Sequence, residues 1–174
     1  MFKIVITGPE STGKSTLSTQ LTNQFKAEMV KEYSRSYLEK LGRPYTKDDL
    51  TIIAQGQIAI ENKAIETNSK LIICDTSLEV IKIWSEYKYK TCNPLILNAL
   101  NNRLPNLYLL MTPDLPWKPD PLRENPLNRN ELFKLYKKEI ETSTVPFHEI
   151  SGNGEGRFNM AKTFIDNYTP FISL

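Results

Sequence analysis

The sequence predicts an α/β fold in which helices cover both faces of a parallel sheet of five strands. Short apolar runs alternate along the chain with segments whose apolar residues recur at helical spacing. The first apolar run also leads into a glycine-containing loop that opens directly on a helix. Alternating strands and helices form a parallel sheet with right-handed crossovers. Since ligands bind such sheets at the carboxyl ends of the strands, we expect the ligand site there.

The glycine-containing loop lies at residues 8–15, which fit the pattern G-x-x-x-x-G-K-[ST] at every fixed position. In such a phosphate-binding loop, or P-loop, the backbone N–H groups of a helix start point at the phosphates of a nucleotide. We expect Lys14 to reach the β- and γ-phosphates of ATP and Ser15 to ligate Mg²⁺. The predicted nucleotide contacts are Gly8, Glu10, Ser11, Thr12, Gly13, Lys14, Ser15 and Thr16.

Length and composition favour one domain, residues 1–174, with a formal charge of +2 and scattered basic residues. Nothing in this balance suggests a nucleic acid or a membrane surface as partner. Two distant cysteines and one histidine suggest neither a disulfide framework nor a zinc cluster. No apolar stretch reaches the roughly 18 residues of a spanning helix, and Met1 leads straight into the first strand, so we expect a cytoplasmic protein of undetermined oligomeric state.

The second strand is predicted at residues 27–30 and ends in a polar cluster at residues 31–35. Since the carboxyl ends of parallel strands form the binding crevice, Glu32 and Arg35 are candidates for contacting the group that receives the phosphate. Equally, the cluster suits the solvated start of a helix that ends near Gly42.

Residues 46–49 form a capping box that starts a long helix reaching Ile65. The next strand, residues 70–74, stops at Asp75. A carboxylate at the tip of a buried strand commonly holds Mg²⁺ or its water. The alternative is that Asp75 caps the following helix.

That following helix carries an apolar stripe that includes Trp84 and Tyr87, which we interpret as packing residues first and ligand contacts second. The turn at residues 151–154 lies at the ligand edge of the fifth strand, where a nucleotide base could lie. Further helices are predicted at 94–103, 131–140 and 158–165, and further strands at 107–111 and 147–150.

Residues 112–128 contain five prolines, so no regular helix or central strand runs through them. Long loops in compact domains tend to be lids or linkers. Because Trp117, Arg123 and Arg129 lie in or beside this loop, we interpret it as a lid whose arginines stabilise charge that develops on a transferring phosphoryl group. The alternative is a connector flanked by solvated arginines.

Six segments spread over nearly the whole chain are together more specific than the P-loop alone. They are GPESTGKSTL at 8–17, KEYSRSYLEKLG at 31–42, AQGQ at 54–57, CDTS at 74–77, KIWSEY at 82–87 and DLPWKPDPLRE at 114–124. With these segments the chain resembles the ribosylnicotinamide kinase domain of the NadR family. It differs at Pro121, where the family usually has glycine, and at Lys31, where some members have an aromatic residue.

The resemblance implies a P-loop NTPase three-layer sandwich with strand order 2-3-1-4-5 and transfer of the γ-phosphate of ATP to the 5′-hydroxyl of nicotinamide riboside. A kinase for another nucleoside or small alcohol, and a nucleotide-switched interaction module, are the alternatives. The expected catalytic residues are Lys14, Glu32, Arg123 and Arg129. The expected substrate contacts are Glu32, Arg35, Asp75, Tyr87 and Trp117, and the expected Mg²⁺ ligands are Ser15 and Asp75.

Overall fold

The structure, a computed structural model, describes residues 1–169. Within them lies one parallel five-stranded sheet in the order β2-β3-β1-β4-β5, which confirms the predicted fold class and strand order. The strands are β1 (Phe2–Thr7), β2 (Glu28–Val30), β3 (Leu71–Asp75), β4 (Leu107–Met111) and β5 (Phe147–Ile150). The helices are α1 (Lys14–Phe25), α2 (Tyr33–Leu41), α3 (Lys47–Glu66), α4 (Leu78–Tyr89), α5 (Pro94–Asn101), α6 (Arg129–Ser143) and α7 (Gly154–Tyr168).

Two apolar layers hold the helices against the sheet. Alternate residues of a strand face opposite sides, so Ile4 and Ile6 of β1 pack toward α1 and α7, whereas Val5 packs toward α3, α4 and α6. A third cluster, which includes Leu50 and Ile96, joins α3, α4 and α5. With both faces covered, the carboxyl ends of the strands remain as the natural place for a ligand.

The predicted elements are all present, with shifts of a few residues at their ends. The capping box forms: the Thr46 N–H donates to Asp49 Oδ2 at 2.7 Å at the start of α3. Helix α2 begins at Tyr33, so Glu32 is its N-cap residue and the polar cluster does start a helix, as one of the two interpretations held. Residues 112–128, the lid, contain no helix or strand. No helix within residues 1–169 has the length and apolar character needed to cross a bilayer.

Close packing requires a glycine at position 56, in the AQGQ segment. A Cβ added at Gly56 in α3 would lie 2.1 Å from Cε1 of Tyr33, so the Tyr33 ring rests directly on the helix backbone. The Tyr33 N–H also donates to Gln57 Oε1 at 3.0 Å, which fixes the start of α2 against α3. The contact fixes the position of Tyr33, the residue after Glu32, and therefore affects the candidate active site.

We expect Gly56→Ala to lower the free energy of unfolding by about 1–3 kcal/mol, because the new methyl group overpacks the Tyr33 contact. The matched control is Gly156→Ala in α7, where an added Cβ meets nothing within 4 Å. Helix propensity alone should make that variant more stable by up to ~1 kcal/mol. Urea unfolding of both variants measures the difference, and a shift of the same sign in both would contradict the packing explanation.

Candidate active site

The P-loop joins β1 to α1 and owes its shape to two glycines. Gly8 has a φ of 132°, and a Cβ there would lie 2.7 Å from the Met111 carbonyl oxygen. Gly13 has a φ of 83° and is the N-cap residue of α1. Both values belong to the left-handed region that glycine tolerates best. The loop therefore passes close to the end of β4 and presents the start of α1 to the open edge of the sheet.

Lys14 folds back over this loop. Its Nζ donates to the carbonyl oxygens of Gly8 at 2.8 Å and Pro9 at 2.7 Å. Desolvation lowers the pKa of Lys14, and the carboxylates of Glu32, Asp75 and Glu10 oppose that shift. The ammonium group thus lies among three carboxylates and the guanidinium of Arg123, whose charge lowers the pKa of Lys14 further.

Asp75 ends β3 beside the P-loop and is only 4% exposed. Its Oδ1 atom is buried without a hydrogen-bond partner. Burial raises the pKa of Asp75, while the neighbouring Ser15 hydroxyl and Lys14 ammonium lower it. The N-cap residue of α4 is Ser77, so Asp75 has no capping role. Of the two functions predicted for Asp75, the structure does not support helix capping. The carboxylate is therefore available to bind a ligand.

Lys14, Ser15, Glu32, Arg35 and Arg123 line one cavity at the carboxyl edge of the sheet. All the predicted nucleotide contacts of the P-loop also line it. The remaining lining includes five apolar or aromatic side chains, Leu38, Val80, Trp84, Leu122 and Tyr136. Asp75 lies in an adjoining cavity that shares Ser15, Glu32, Arg35 and Arg123. A molecule that carries both charged and apolar groups suits this lining.

Residues 112–128, which we interpret as a lid, contact the P-loop at Glu10 and Ser11. The Arg35 Nη2 atom donates to Asp120 Oδ2 at 2.9 Å, which joins α2 to the lid. Arg123 donates to the Lys118 carbonyl oxygen and lines the cavity, whereas Arg129 donates to the Leu115 carbonyl oxygen at 2.8 Å. The two predicted catalytic arginines therefore occupy different places: Arg123 faces the cavity and Arg129 secures the lid.

Besides Asp75, two predicted substrate contacts, Tyr87 and Trp117, lie outside the main cavity. Two guanidinium groups lie near the centre of the Trp117 ring, that of Arg123 at 6.0 Å and that of Arg129 at 5.8 Å. Tyr87 lines a neighbouring pocket, where its hydroxyl accepts from Asn128 Nδ2 at 3.0 Å. Trp84 packs against two of the apolar clusters, as predicted, and also lines the main cavity.

Arg157 at the start of α7 is a site residue that we did not predict. It is 4% exposed, its Nε donates to the Gly152 carbonyl oxygen at 2.8 Å, and its two terminal nitrogens bond Thr12 and Asp114. It thus ties the P-loop to the turn after β5. The signal was present, since Arg157 precedes Ala161 and Ile165 at four-residue spacing and so lies on the buried face of the helix.

A buried acidic cluster supports the turn after Asp75. Ser77 Oγ donates to Glu61 Oε1 at 2.6 Å, and the Ser77 N–H donates to Glu79 Oε1 at 3.2 Å. Lys3 Nζ balances the charge by donating to Glu61 Oε2 at 3.2 Å. Thr76 in this turn has a φ of 67°, a strained value for a β-branched residue. These contacts hold the strained turn in place.

Burial raises the pKa of Glu79 from 4.5 to about 7. A carboxyl group with a higher pKa in the folded chain binds more protons there, so its stabilising contribution is lost as the pH rises through this range. We expect Glu79→Gln to gain stability over the wild type between about pH 5 and about pH 8, by up to roughly 3 kcal/mol. Denaturant unfolding at several pH values tests this, and Glu66→Gln at an exposed position is the control. If the free energy of unfolding depends on pH in the same way in the wild type and in both variants, the expectation is wrong.

The comparisons with known proteins agree with this geometry. Residues 3–157 match the AAA domain family. The trifunctional NAD biosynthesis/regulator protein NadR of Escherichia coli is 25% identical over 155 residues, which are 84% of this chain and 37% of that protein. Two solved structures of NadR protein, in complex with NAD and AMP-PNP and in complex with NR, superpose with TM-scores of 0.84 and 0.82 at 19% and 18% identity. Each match covers 97% of this chain, and 49% and 50% of those chains.

Proposed function

Because the chain belongs to the AAA domain family and is a NadR-like P-loop domain, we propose that it is a kinase that transfers the γ-phosphate of ATP to the 5′-hydroxyl of nicotinamide riboside. The observation that carries the proposal is a single cavity whose lining combines Lys14, Glu32 and Arg123 with apolar and aromatic side chains. The NR complex of the NadR relative supports the choice of acceptor. The chain spans less than half the length of the NadR protein of E. coli, so the proposal concerns this domain alone.

In the proposed reaction the acceptor oxygen bonds to the γ-phosphorus while the bond from that phosphorus to the bridging oxygen breaks, which releases ADP. Lys14 stabilises negative charge on the phosphates, and Arg123 stabilises charge that develops on the transferring group. Glu32 orients the hydroxyl and accepts its proton late in a loose transition state, where little basicity is needed. Arg35 positions the acceptor, and the closed lid excludes water that would hydrolyse the nucleotide.

The residues beside Lys14 also fit Mg²⁺. Asp75 provides a buried oxygen without a partner, and the Ser15 hydroxyl lies close to it. Within residues 1–169 no cluster of three or more acidic, cysteine or histidine side chains is suited to a metal. That agrees with Mg²⁺, which is commonly held by one or two protein ligands, waters and substrate phosphates. When bound, Mg²⁺ neutralises charge on the β- and γ-phosphates.

We expect Asp75→Asn to lower activity at limiting Mg²⁺ by on the order of tenfold, because a neutral amide oxygen is a poorer ligand for a hard cation. Rising Mg²⁺ should restore part of the loss. The measurement is a magnesium titration of turnover in the variant and the wild type. If the variant melts at a lower temperature but its magnesium titration is unchanged, Asp75 is a structural residue.

A nucleoside with an uncharged base is the second candidate acceptor. The specific observation is Lys31, whose side chain lines the adjoining cavity with Glu32 and Arg35. Two cations are poor neighbours for a pyridinium ring, although the Glu32 carboxylate offsets part of their charge.

One experiment separates the candidates. The protein is incubated with Mg-ATP and, in turn, nicotinamide riboside, nicotinic acid riboside, adenosine, deoxyadenosine and glycerol, and the products are weighed by mass spectrometry. We expect nicotinamide riboside to gain one phosphoryl group fastest. Faster phosphorylation of adenosine or deoxyadenosine would select the second candidate, and nucleotide binding without any phosphorylated product would indicate an interaction module.

A further inference from the structure

Glu10 presents an electrostatic problem, because it places a carboxylate in the loop that binds a polyanion. Its charge is felt at the centre of the site, since it is one of the three carboxylates that raise the pKa of Lys14. A carboxylate here opposes phosphate binding unless other groups engage it. The side chain must therefore have partners of its own or act against the function of the loop.

Those partners belong to the lid. The Glu124 N–H donates to Glu10 Oε1 at 3.2 Å, and the Asn125 N–H donates to Oε2 at 3.0 Å. The Asn125 side-chain amide adds a longer contact to Oε1 at 3.5 Å. One P-loop carboxylate thus holds two successive backbone amides of a segment more than a hundred residues away in sequence.

The next P-loop residue holds the other end of the same stretch. Ser11 Oγ accepts from the Lys118 N–H at 2.9 Å. Lys118 and Glu124 flank Arg123, whose guanidinium lines the cavity and bonds back to the Lys118 carbonyl. Arg123 is close enough to Lys14 for its charge to lower the pKa of that ammonium. Glu10 and Ser11 therefore fix both sides of the turn that carries Arg123.

We propose that Glu10 is a positioning residue, which attaches the lid to the P-loop and so places the Arg123 guanidinium beside the transferring phosphate. The attachment of the lid follows from the contacts alone, whereas the effect on catalysis rests on the proposed kinase function. In this arrangement Glu10 does not bind the nucleotide through its side chain. Its charge is engaged by lid amides when the lid is closed.

The first test needs no nucleotide. Trypsin cleaves after Arg123, at the peptide bond whose N–H donates to Glu10, whereas proline at position 119 protects the bond after Lys118. We expect cleavage after Arg123 to be about tenfold faster in Glu10→Ala, since each hydrogen bond to a charged group is worth about that factor. Glu10→Gln keeps one acceptor oxygen and should show a smaller increase.

Two comparisons make that test decisive. Glu66→Gln removes one negative charge at an exposed position of α3, and trypsin should cleave this variant after Arg123 at the wild-type rate. Cleavage at all other lysines and arginines serves as an internal reference for global unfolding. Unchanged cleavage after Arg123 in both Glu10 variants, or a rise that is equal at every site, would overturn the proposed attachment.

The second test measures coupling to catalysis. If Glu10 acts through Arg123, Glu10→Gln should lower kcat in the wild-type background and have little further effect in Arg123→Ala. A direct electrostatic effect on the nucleotide predicts the opposite pattern, in which Glu10→Gln lowers the KM for ATP equally in both backgrounds. Additive losses in kcat would overturn the positioning role. Because proteolysis needs no turnover, failure of the proposed kinase function would leave the lid result intact.

Discussion

Replacing Lys14 with alanine is expected to lower the rate of phosphoryl transfer by on the order of a hundredfold or more. The reason is electrostatic: Lys14 lines the cavity together with the rest of the P-loop, where the phosphates of the nucleotide are expected. Its hydrogen bonds go to the carbonyl oxygens of Gly8 and Pro9 in its own loop and to no core side chain. The variant should therefore fold normally.

Turnover with Mg-ATP and the accepted nucleoside, together with the thermal unfolding curve, measures both parts of this expectation. Lys63→Ala is the matched control, since Lys63 is an exposed lysine on the outer face of α3. Near-normal turnover in Lys14→Ala at an unchanged melting temperature would contradict the role assigned to the P-loop. A collapse of the melting temperature would show that the loop contacts of Lys14 hold the fold.

Glu32→Gln is expected to lower turnover by roughly a hundredfold to ten-thousandfold, the usual contribution of a general base, while nucleotide binding is retained. Glu32 follows β2 as the N-cap residue of α2 and lines the cavity, and its carboxylate is the foremost charge that raises the pKa of Lys14. Its Oε1 accepts from Ser34 Oγ at 2.5 Å, which fixes the orientation of the carboxylate. Glutamine has nearly the same size and removes only the charge and the ability to accept a proton.

The measurement pairs kcat with the affinity for a non-hydrolysable ATP analogue. Ser34→Ala is the companion variant: it frees the carboxylate but keeps the charge, so its loss should be much smaller than that of Glu32→Gln. Turnover at the wild-type rate in Glu32→Gln would place the base elsewhere and leave the end of β2 with a structural role.

Local pattern and spacing were enough to predict most of the fold. Three features are visible within a few residues of sequence: the P-loop pattern, the capping box at Thr46 and Asp49, and the apolar strand that stops at Asp75. The strand order followed from the resemblance and not from periodicity, because the pairing of β1 with both β3 and β4 joins distant parts of the chain.

The rest of the candidate site depends on contacts between such distant parts. The Tyr33 ring on Gly56 and the lid amides on Glu10 have no periodic signal, since each links residues whose separation only the folded chain sets. Arg157 is an intermediate case: its place on an apolar helix face was visible, but its partners in the P-loop and after β4 were not.

The contacts of Arg157 also bear on the order in which the chain matures during synthesis. The P-loop is synthesised well before Arg157, whose guanidinium donates to the carbonyl oxygen of Thr12. The central strand β1 likewise has no neighbouring strands on both sides until β3 and β4 have been synthesised. A nascent chain that stops before Arg157 therefore carries the complete phosphate-binding sequence without the group that secures it. Nucleotide would then act late, on a nearly finished domain, and contribute to stability after the slow non-local pairing has been completed.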